Sequence, residues 1–494
     1  MPDGPAGSVP IVAGFFPDPS ICRVDHTYYL AHSSFEYFPA VPLHASEDLV
    51  TWEPIGHVYT DPAHLDLSGS PSSGGVFAPT LRHHDGAFYL ITSDVGSYGG
   101  GHLITRAPAA TGPWSRPVRT GWAVGIDPDL FWDVDGTCHL TWSGEVDGAA
   151  GLLSAPVDPA TGAQLGEVRR VWQGSGLAYP EGPHLFRRGD HYYLLIAEGG
   201  TERGHCVSVA RATSLDGPWE ACPGNPVLSH RSTTHPVQNT GHADLVQTPD
   251  GEWALCYLGA RPRGATPGFH VNGRETFLAG VDWVDGWPVV DEGRYPVPAA
   301  DHGFVDRFEQ PALHPRWVSP RGLSTSLVTP GEPGIVLAPA DADGFSGPVL
   351  CVRARDAAWT AWAEVRGEGG VPALQVHLAT DYWAEVRRER DEAVAEVCVA
   401  GLRHELGRVA APGGTGAAGS SAVLEVASVV PSSSGGPDDV VLRVRDDDGV
   451  VEVGRIDGRL LSTEVAGGFT GRTIGVRAVG GAVRVTGFGY SPES

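Results

Sequence analysis

The sequence is short of methionine, of basic charge and of long apolar runs, and each shortage excludes something. Methionine occurs once in 494 residues, whereas 14 Trp, 13 Tyr and 15 Phe are present. Aromatic side chains suit half-buried strands, so a helical bundle or coiled coil is not expected. Lys and Arg together number 34 against 59 Asp and Glu, leaving a formal charge of −25. Such a surface repels phosphate backbones and anionic lipid heads, so neither nucleic acid nor a membrane surface is an expected partner. A neutral substrate is. No apolar run approaches the roughly 18 residues needed to span a bilayer. The opening stretch MPDGPAGSVPIVAGFFPDPS carries no basic segment and no apolar core. No signal peptide is therefore expected, and the expected location is cytoplasmic. The seven cysteines (Cys22, Cys138, Cys206, Cys222, Cys256, Cys351 and Cys398) are odd in number and form no CxxC pair. They read as buried thiols in a reducing compartment, without a disulfide framework.

What is present is turn-forming residues. Gly (67) and Pro (41) make up over a fifth of the chain, and 41% of residues are hydrophobic, so the chain is rich in turns yet able to build a core. Its length suggests two or three domains.

Five segments repeat one pattern: DPSICRVDHTYYL (18–30), APTLRHHDGAFYL (78–90), DPDLFWDVDGTCHL (127–140), EGPHLFRRGDHYYL (181–194) and HADLVQTPDGEWAL (242–255). Each runs from a small or polar residue through apolar positions to a turn, mostly Asp-Gly, then into an aromatic-rich strand. The closing leucines, Leu30, Leu90, Leu140, Leu194 and Leu255, are spaced by 60, 50, 54 and 61 residues. Strand, tight turn and strand make a hairpin, and five at blade-sized intervals predict a five-bladed β-propeller over residues 1–300. A generic β-sandwich is the duller alternative, but it demands no such spacing. SEDLVTW (46–52), ATGPW (110–114) and SLDGPW (214–219) read as outer strands and turns of the blades, with no clear copy in the third.

In a propeller the innermost strands line a central channel, so equivalent positions converge on its axis. The opening residues are Asp18, Ala78, Asp127, Glu181 and His242. Three carboxylates and a histidine at one channel mouth are costly in self-repulsion, and that cost points to function. Asp129 competes with Asp127 for the third position, and the repeat register favours Asp127. Carboxylates facing one another, without a phosphate loop or a metal-ligand cluster, suit glycosidic bond cleavage. One must be ionised to activate water, another protonated to serve the leaving oxygen. A third carboxylate would hold the acid in its protonated form.

After about residue 300 the texture changes. DYWAEVRRERDEAVAEVCVAG (381–401) and VLRVRDDDGVVEVGRI (441–456) read as antiparallel hairpins, and residues 301–494 as a β-sandwich of jelly-roll or concanavalin type. APGGTGAAGSSA (411–422) and PSSSGGPDD (431–439) read as loops too rich in Gly, Ser and Pro to pack.

The segments GFFPDPS (14–20), FAPT (77–80), IDPDLF (126–131), YPEGPHLF (179–186), GHADLVQTPDGEW (241–253), GRETFLAGVDWVDGWP (273–288) and GGFTGRTIGVRA (467–478) together resemble family 43 glycoside hydrolases. Within that family the likeness is to the β-xylosidases and xylosidase/α-L-arabinofuranosidases with a C-terminal sandwich. The resemblance implies a five-bladed propeller and inverting, exo-acting release of xylose from β-1,4-xylo-oligosaccharides, with α-L-arabinofuranosidase as the alternative. It implies Asp18 as general base, Glu181 as general acid and Asp127 as the carboxylate that tunes the acid. It also implies Arg274 as a sugar-binding arginine, Phe35 and Phe77 as walls of the sugar pocket, and Phe469 as an aromatic lent to that pocket by the sandwich. Arg274 could otherwise form a plain ion pair with Glu275. No cofactor is required; a calcium or other metal ion in the channel, with His242 as its candidate ligand, is compatible with the resemblance. The expected partner is a small oligosaccharide, and a homo-oligomer is compatible with all of this. Phe77 stands where the family usually has Trp, and IDPDLF replaces FDPSLF. The remaining alternatives are a retaining fructan-cleaving enzyme, whose motifs differ, and a sugar-binding module without catalysis.

Overall fold

The computed structural model describes residues 5–493 except 147, 323–327, 332, 340–348, 411–420 and 447–448. Nearly all regular structure is β, and the chain forms two compact units. The first comprises Met1–Glu36, Ala40–Arg261 and Arg274–Ala299; the second comprises Tyr37–Pro39, Pro262–Gly273 and Ala300–Ser494. A single cut at residue 300 therefore misassigns two short segments within the first 300 residues. Tyr37–Phe38 pairs with Ser319–Pro320, and Ala265 donates its N–H to the Gly435 carbonyl, which ties both segments to the second unit.

The first unit is built from five four-stranded antiparallel sheets. Their innermost strands are Ser20–Val24, Thr80–His84, Gly125–Trp132, Glu181–Arg188 and Gln238–Gln247. These adjoin one another in chain order, and the fifth returns to the first, closing a ring. The N-terminal segment completes the closure: Val12 bridges to Thr276 of the fifth sheet. Asp85-Gly86 and Asp285-Gly286 have positive φ at both positions, the type I′ geometry that matches strand twist. SEDLVTW, ATGPW and SLDGPW lie in the connections between third and fourth strands. The third sheet has its fourth strand too, Arg169–Trp172, reached through a longer connection that lacks the Trp signal. Between the sheets, apolar faces interlock: Leu194 and Ile196 with Leu152, and Leu140 with Ile91 and Ile104.

Besides the Tyr37–Phe38 and Ser319–Pro320 pair, the second unit has two larger sheets among the described residues. One runs Val328–Pro330, Ile335–Leu337, Ala482–Pro492, Trp359–Glu368, Ser421–Val429, Asp439–Asp446, Gly449–Asp457; Phe304–Asp306 also pairs with Ala482–Pro492. The other runs Leu350–Arg353, Thr473–Val479, Val371–Ala379, Tyr382–Arg388, Glu392–Val399, Leu402–Ala410. Both predicted hairpins are present. Their inward residues, among them Trp359, Leu374, Val386, Leu424, Leu442 and Val485, share one core.

The 431–439 loop packs, contrary to the expectation from its composition. Asp438 is 1% exposed and accepts from the buried Arg472 guanidinium at 2.5 and 3.1 Å and from Ser428 Oγ at 2.5 Å. A charged anchor holds a segment that apolar content could not. Of the other loop, residues 411–420 lie outside the described residues, while Ser421 and Ala422 begin a strand. All seven cysteines are buried and free. Among the described residues no helix is long and apolar enough to cross a membrane.

Candidate active site

The innermost strands present their opening residues by a shared backbone device. Asp18, Asp127 and His242 all have left-handed φ (55°, 56° and 44°), and Gly182, after Glu181, has φ 57°. The pairing register breaks between Ile126 and Asp129, between Glu181 and His184, and between Gly241 and Asp244. A bulge at the same place in three blades re-aims the side chain there. Left-handed geometry at non-glycine residues costs on the order of 1–3 kcal/mol each and persists where the surroundings enforce it.

These residues meet. Gly182 N–H donates to Asp127 Oδ2 at 3.1 Å, and His242 Nδ1 lies 3.7 Å from Asp18 Oδ1. Asp18 accepts from Ser33 Oγ at 2.5 Å and from Arg274 Nη1 at 3.1 Å, and Arg274 Nη1 also donates to Thr201 Oγ1 at 2.9 Å. Asp18 and Asp127 are buried, while Glu181 keeps 21% of its side chain exposed.

The environments separate the three carboxyls. Burial works to raise Asp18, but the Arg274 guanidinium, His242 and the Ser33 hydroxyl outweigh it and hold the carboxyl below its usual range. Burial and then the Asp18 charge push Glu181 up to about 7, against the pull of Arg274. Asp127 is itself pushed well up, by burial and then by Glu181 and Asp18. Close carboxyls cannot all ionise together, so Asp127 and Glu181 retain a proton while Asp18 stays charged. Beyond burial, the Asp18 charge acts on Glu181, and Glu181 in turn acts on Asp127.

Arg274 is 7% exposed and makes no pair with Glu275, which instead accepts from Arg261 at 2.6 and 2.8 Å. Its guanidinium lies 5.9 Å from the Phe35 ring centroid, and Phe35 meets Phe77 edge-to-face at 5.6 Å. Phe35 is fully buried and Phe77 half-buried. Phe469 is a half-buried residue of the second unit, between the short helix Thr463–Ala466 and strand Thr473–Val479.

Deeper in the channel, Asp129 proves structural. Arg82 Nη2 lies 2.8 Å from Asp129 and Arg82 Nη1 lies 2.7 Å from Asp244, while Leu185 N–H donates to Asp129 at 2.7 Å. Arg82 therefore supplies a positive charge between two buried aspartates. Burial lowers His242 to about 4, so its ring is neutral. It packs against Gly182, where a Cβ would lie 3.0 Å from the ring. Among the described residues no group of three or more His, Cys, Asp or Glu is placed to hold a metal ion.

Ser33, Thr201 and His205 also belong to the site and escaped the sequence reading. They lie after second strands or before third ones, outside the innermost-strand repeat that flagged the others.

Residues 8–288 match the model of glycosyl hydrolases family 43. The chain belongs to this family. It is 43% identical over 296 residues to a xylosidase/arabinosidase of Butyrivibrio fibrisolvens, covering 58% of this chain and 56% of that protein. It is 45% identical over 286 residues to a non-reducing-end α-L-arabinofuranosidase of Bacteroides ovatus, covering 57% and 53%. The matches thus span little more than half the length of these curated relatives. A solved structure of a xylan β-1,4-xylosidase from Bacillus halodurans superposes with a TM-score of 0.87 at 28% identity, covering 98% of this chain and 99% of that one.

Proposed function

We propose that this family 43 protein is an inverting exo-glycosidase that releases xylose from the non-reducing end of β-1,4-xylo-oligosaccharides. The observation that carries the reading is the split between the carboxyls: Asp18 is held ionised while Glu181 is pushed to about 7. Pairs of acids whose environments drive them apart mark base and acid. Asp18 takes the proton of a water attacking the anomeric carbon. Glu181 gives its proton to the departing glycosidic oxygen. Asp127, bonded to the N–H after Glu181, orients the acid and shares its proton. Arg274, fixed by Asp18 and Thr201, holds sugar hydroxyls, and Phe35 with Phe77 forms an apolar wall for the sugar ring.

A second reading, α-L-arabinofuranosidase alone or beside xylosidase activity, is favoured by the names of the relatives from Bacteroides ovatus and Butyrivibrio fibrisolvens. Rates on the nitrophenyl β-xyloside, the nitrophenyl α-L-arabinofuranoside and xylobiose test both. Xylobiose cleavage with the xyloside preferred supports the first reading. Activity confined to the arabinofuranoside replaces it with the second, and binding without hydrolysis would defeat both.

A further inference from the structure

His205 lies immediately before strand Cys206–Ala212 of the fourth blade and is 1% exposed. Its ring packs over Gly241, where a Cβ would come within 2.3–2.6 Å of three ring atoms, so only glycine leaves room for it. Nδ1 lies 3.1 Å from the Asn239 carbonyl oxygen. A carbonyl can only accept, so Nδ1 carries the hydrogen. Burial, reinforced by His242 and Arg274, lowers the imidazole to about 3 against the opposing pull of Asn239 and Asp18. The ring is therefore neutral, and Nε2 is a bare acceptor. It has no hydrogen-bond partner among the described residues, and it sits 3.8 Å from Glu181 Oε1.

A fixed lone pair beside a carboxyl favours the protonated form, which can donate to it, and disfavours the carboxylate, which cannot. We propose that His205 is a positioning residue for the acid: its Nε2 accepts from the Glu181 carboxyl O–H and keeps the proton on Oε1 until substrate arrives. This rests on the reading of Glu181 as general acid. At 3.8 Å the two atoms stand just beyond hydrogen-bond distance, and the proposed contact requires a rotation of the Glu181 side chain in the free enzyme. The other charged groups facing Glu181 are Asp18, Asp127 and Arg274. Asp18 favours its proton and Arg274 opposes it, both through charge, whereas His205 acts through a directed lone pair. When the glycosidic oxygen enters, the O–H turns to it and His205 undergoes no covalent change.

The test compares His205→Phe, which keeps a ring but removes the acceptor, with His205→Gln, which restores an acceptor oxygen. His205→Met serves the same end as Phe if a phenyl ring does not fit. The alkaline limb of kcat/KM should fall by about half to one pH unit in the Phe or Met variant and return toward wild type in Gln. Loss of rate should be greater on xylobiose than on dinitrophenyl xyloside, whose leaving group needs no proton. An unmoved limb with equal losses on both substrates would make His205 merely structural and overturn the proposal. Infrared difference titration of the Glu181 carboxyl, identified by its absence in Glu181→Gln, gives a readout independent of hydrolysis. A lower midpoint in the variants supports the proposal even if wild type cleaves neither glycoside, a result that would sink the functional reading alone. An unchanged midpoint overturns the His205 role even in an active enzyme.

Discussion

Replacing Glu181 with glutamine should make the protein more stable as the pH rises. Burial and the Asp18 charge move this carboxyl from 4.5 to about 7. At about 1.4 kcal/mol per unit the native state bears on the order of 3 kcal/mol for keeping an acid there. The sign follows from linkage. Below 4.5 the carboxyl is protonated in both folded and unfolded chains and costs nothing. Between 4.5 and about 7 the unfolded chain gives up a proton that the native state retains, so stability declines with pH. Above that the full penalty is present. Glutamine has no charge to suppress, and its loss also relieves Asp127, which Glu181 helps to push up. Calorimetric melting of wild type and variant should therefore coincide near pH 4 and separate by several degrees at pH 8, with the variant higher. A difference that does not grow with pH, or a variant that melts lower at pH 8, would refute the claim that Glu181 is a strained acid.

The kcat/KM profile should be a bell whose alkaline limb lies near pH 7, set by Glu181, and whose acid limb lies below the ordinary aspartate range, set by Asp18; initial rates across pH in a mixed buffer check both. Arg274→Ala removes the main influence holding Asp18 ionised, so its acid limb should move up and kcat/KM should drop by at least tenfold, whereas an unshifted limb would uncouple the two residues. In the second unit, Arg472→Met strands the Asp438 carboxylate in the core and should cost about 3–5 kcal/mol in denaturant unfolding; a loss under about 1 kcal/mol would show the pair to be dispensable.

The propeller was legible because a five-fold repeat imposes spacing that one domain of another kind does not require. Asp18, Asp127, Glu181 and His242 were legible for the same reason, since equivalent places in equivalent hairpins converge on one axis. Asp129 and Asp127 stood two residues apart in the same motif, and a bulge between them separates their fates: one faces Glu181, the other Arg82. What escaped were contacts made from outside the innermost strands. Ser33 and His205 lie beside the carboxyls of their own blades, and Thr201 holds Arg274, all from loops that no repeat marks. Tyr37–Pro39 and Pro262–Gly273 escaped because membership of the second unit depends on pairing with residues some 170–280 positions later, which local composition does not encode. The 431–439 loop was misread because glycine and serine hide the two aspartates, Asp438 and Asp439, that anchor it.

Proton NMR of the first sugar released from a β-xyloside tests the division of labour between Asp18 and Glu181 most directly. Water activated by Asp18 on the face opposite the leaving group must give α-xylose first, with the β form appearing only as the sugar mutarotates. β-Xylose as the initial product would mean attack by a carboxylate and a covalent intermediate, and would contradict the assignment of Asp18 as a base acting on water.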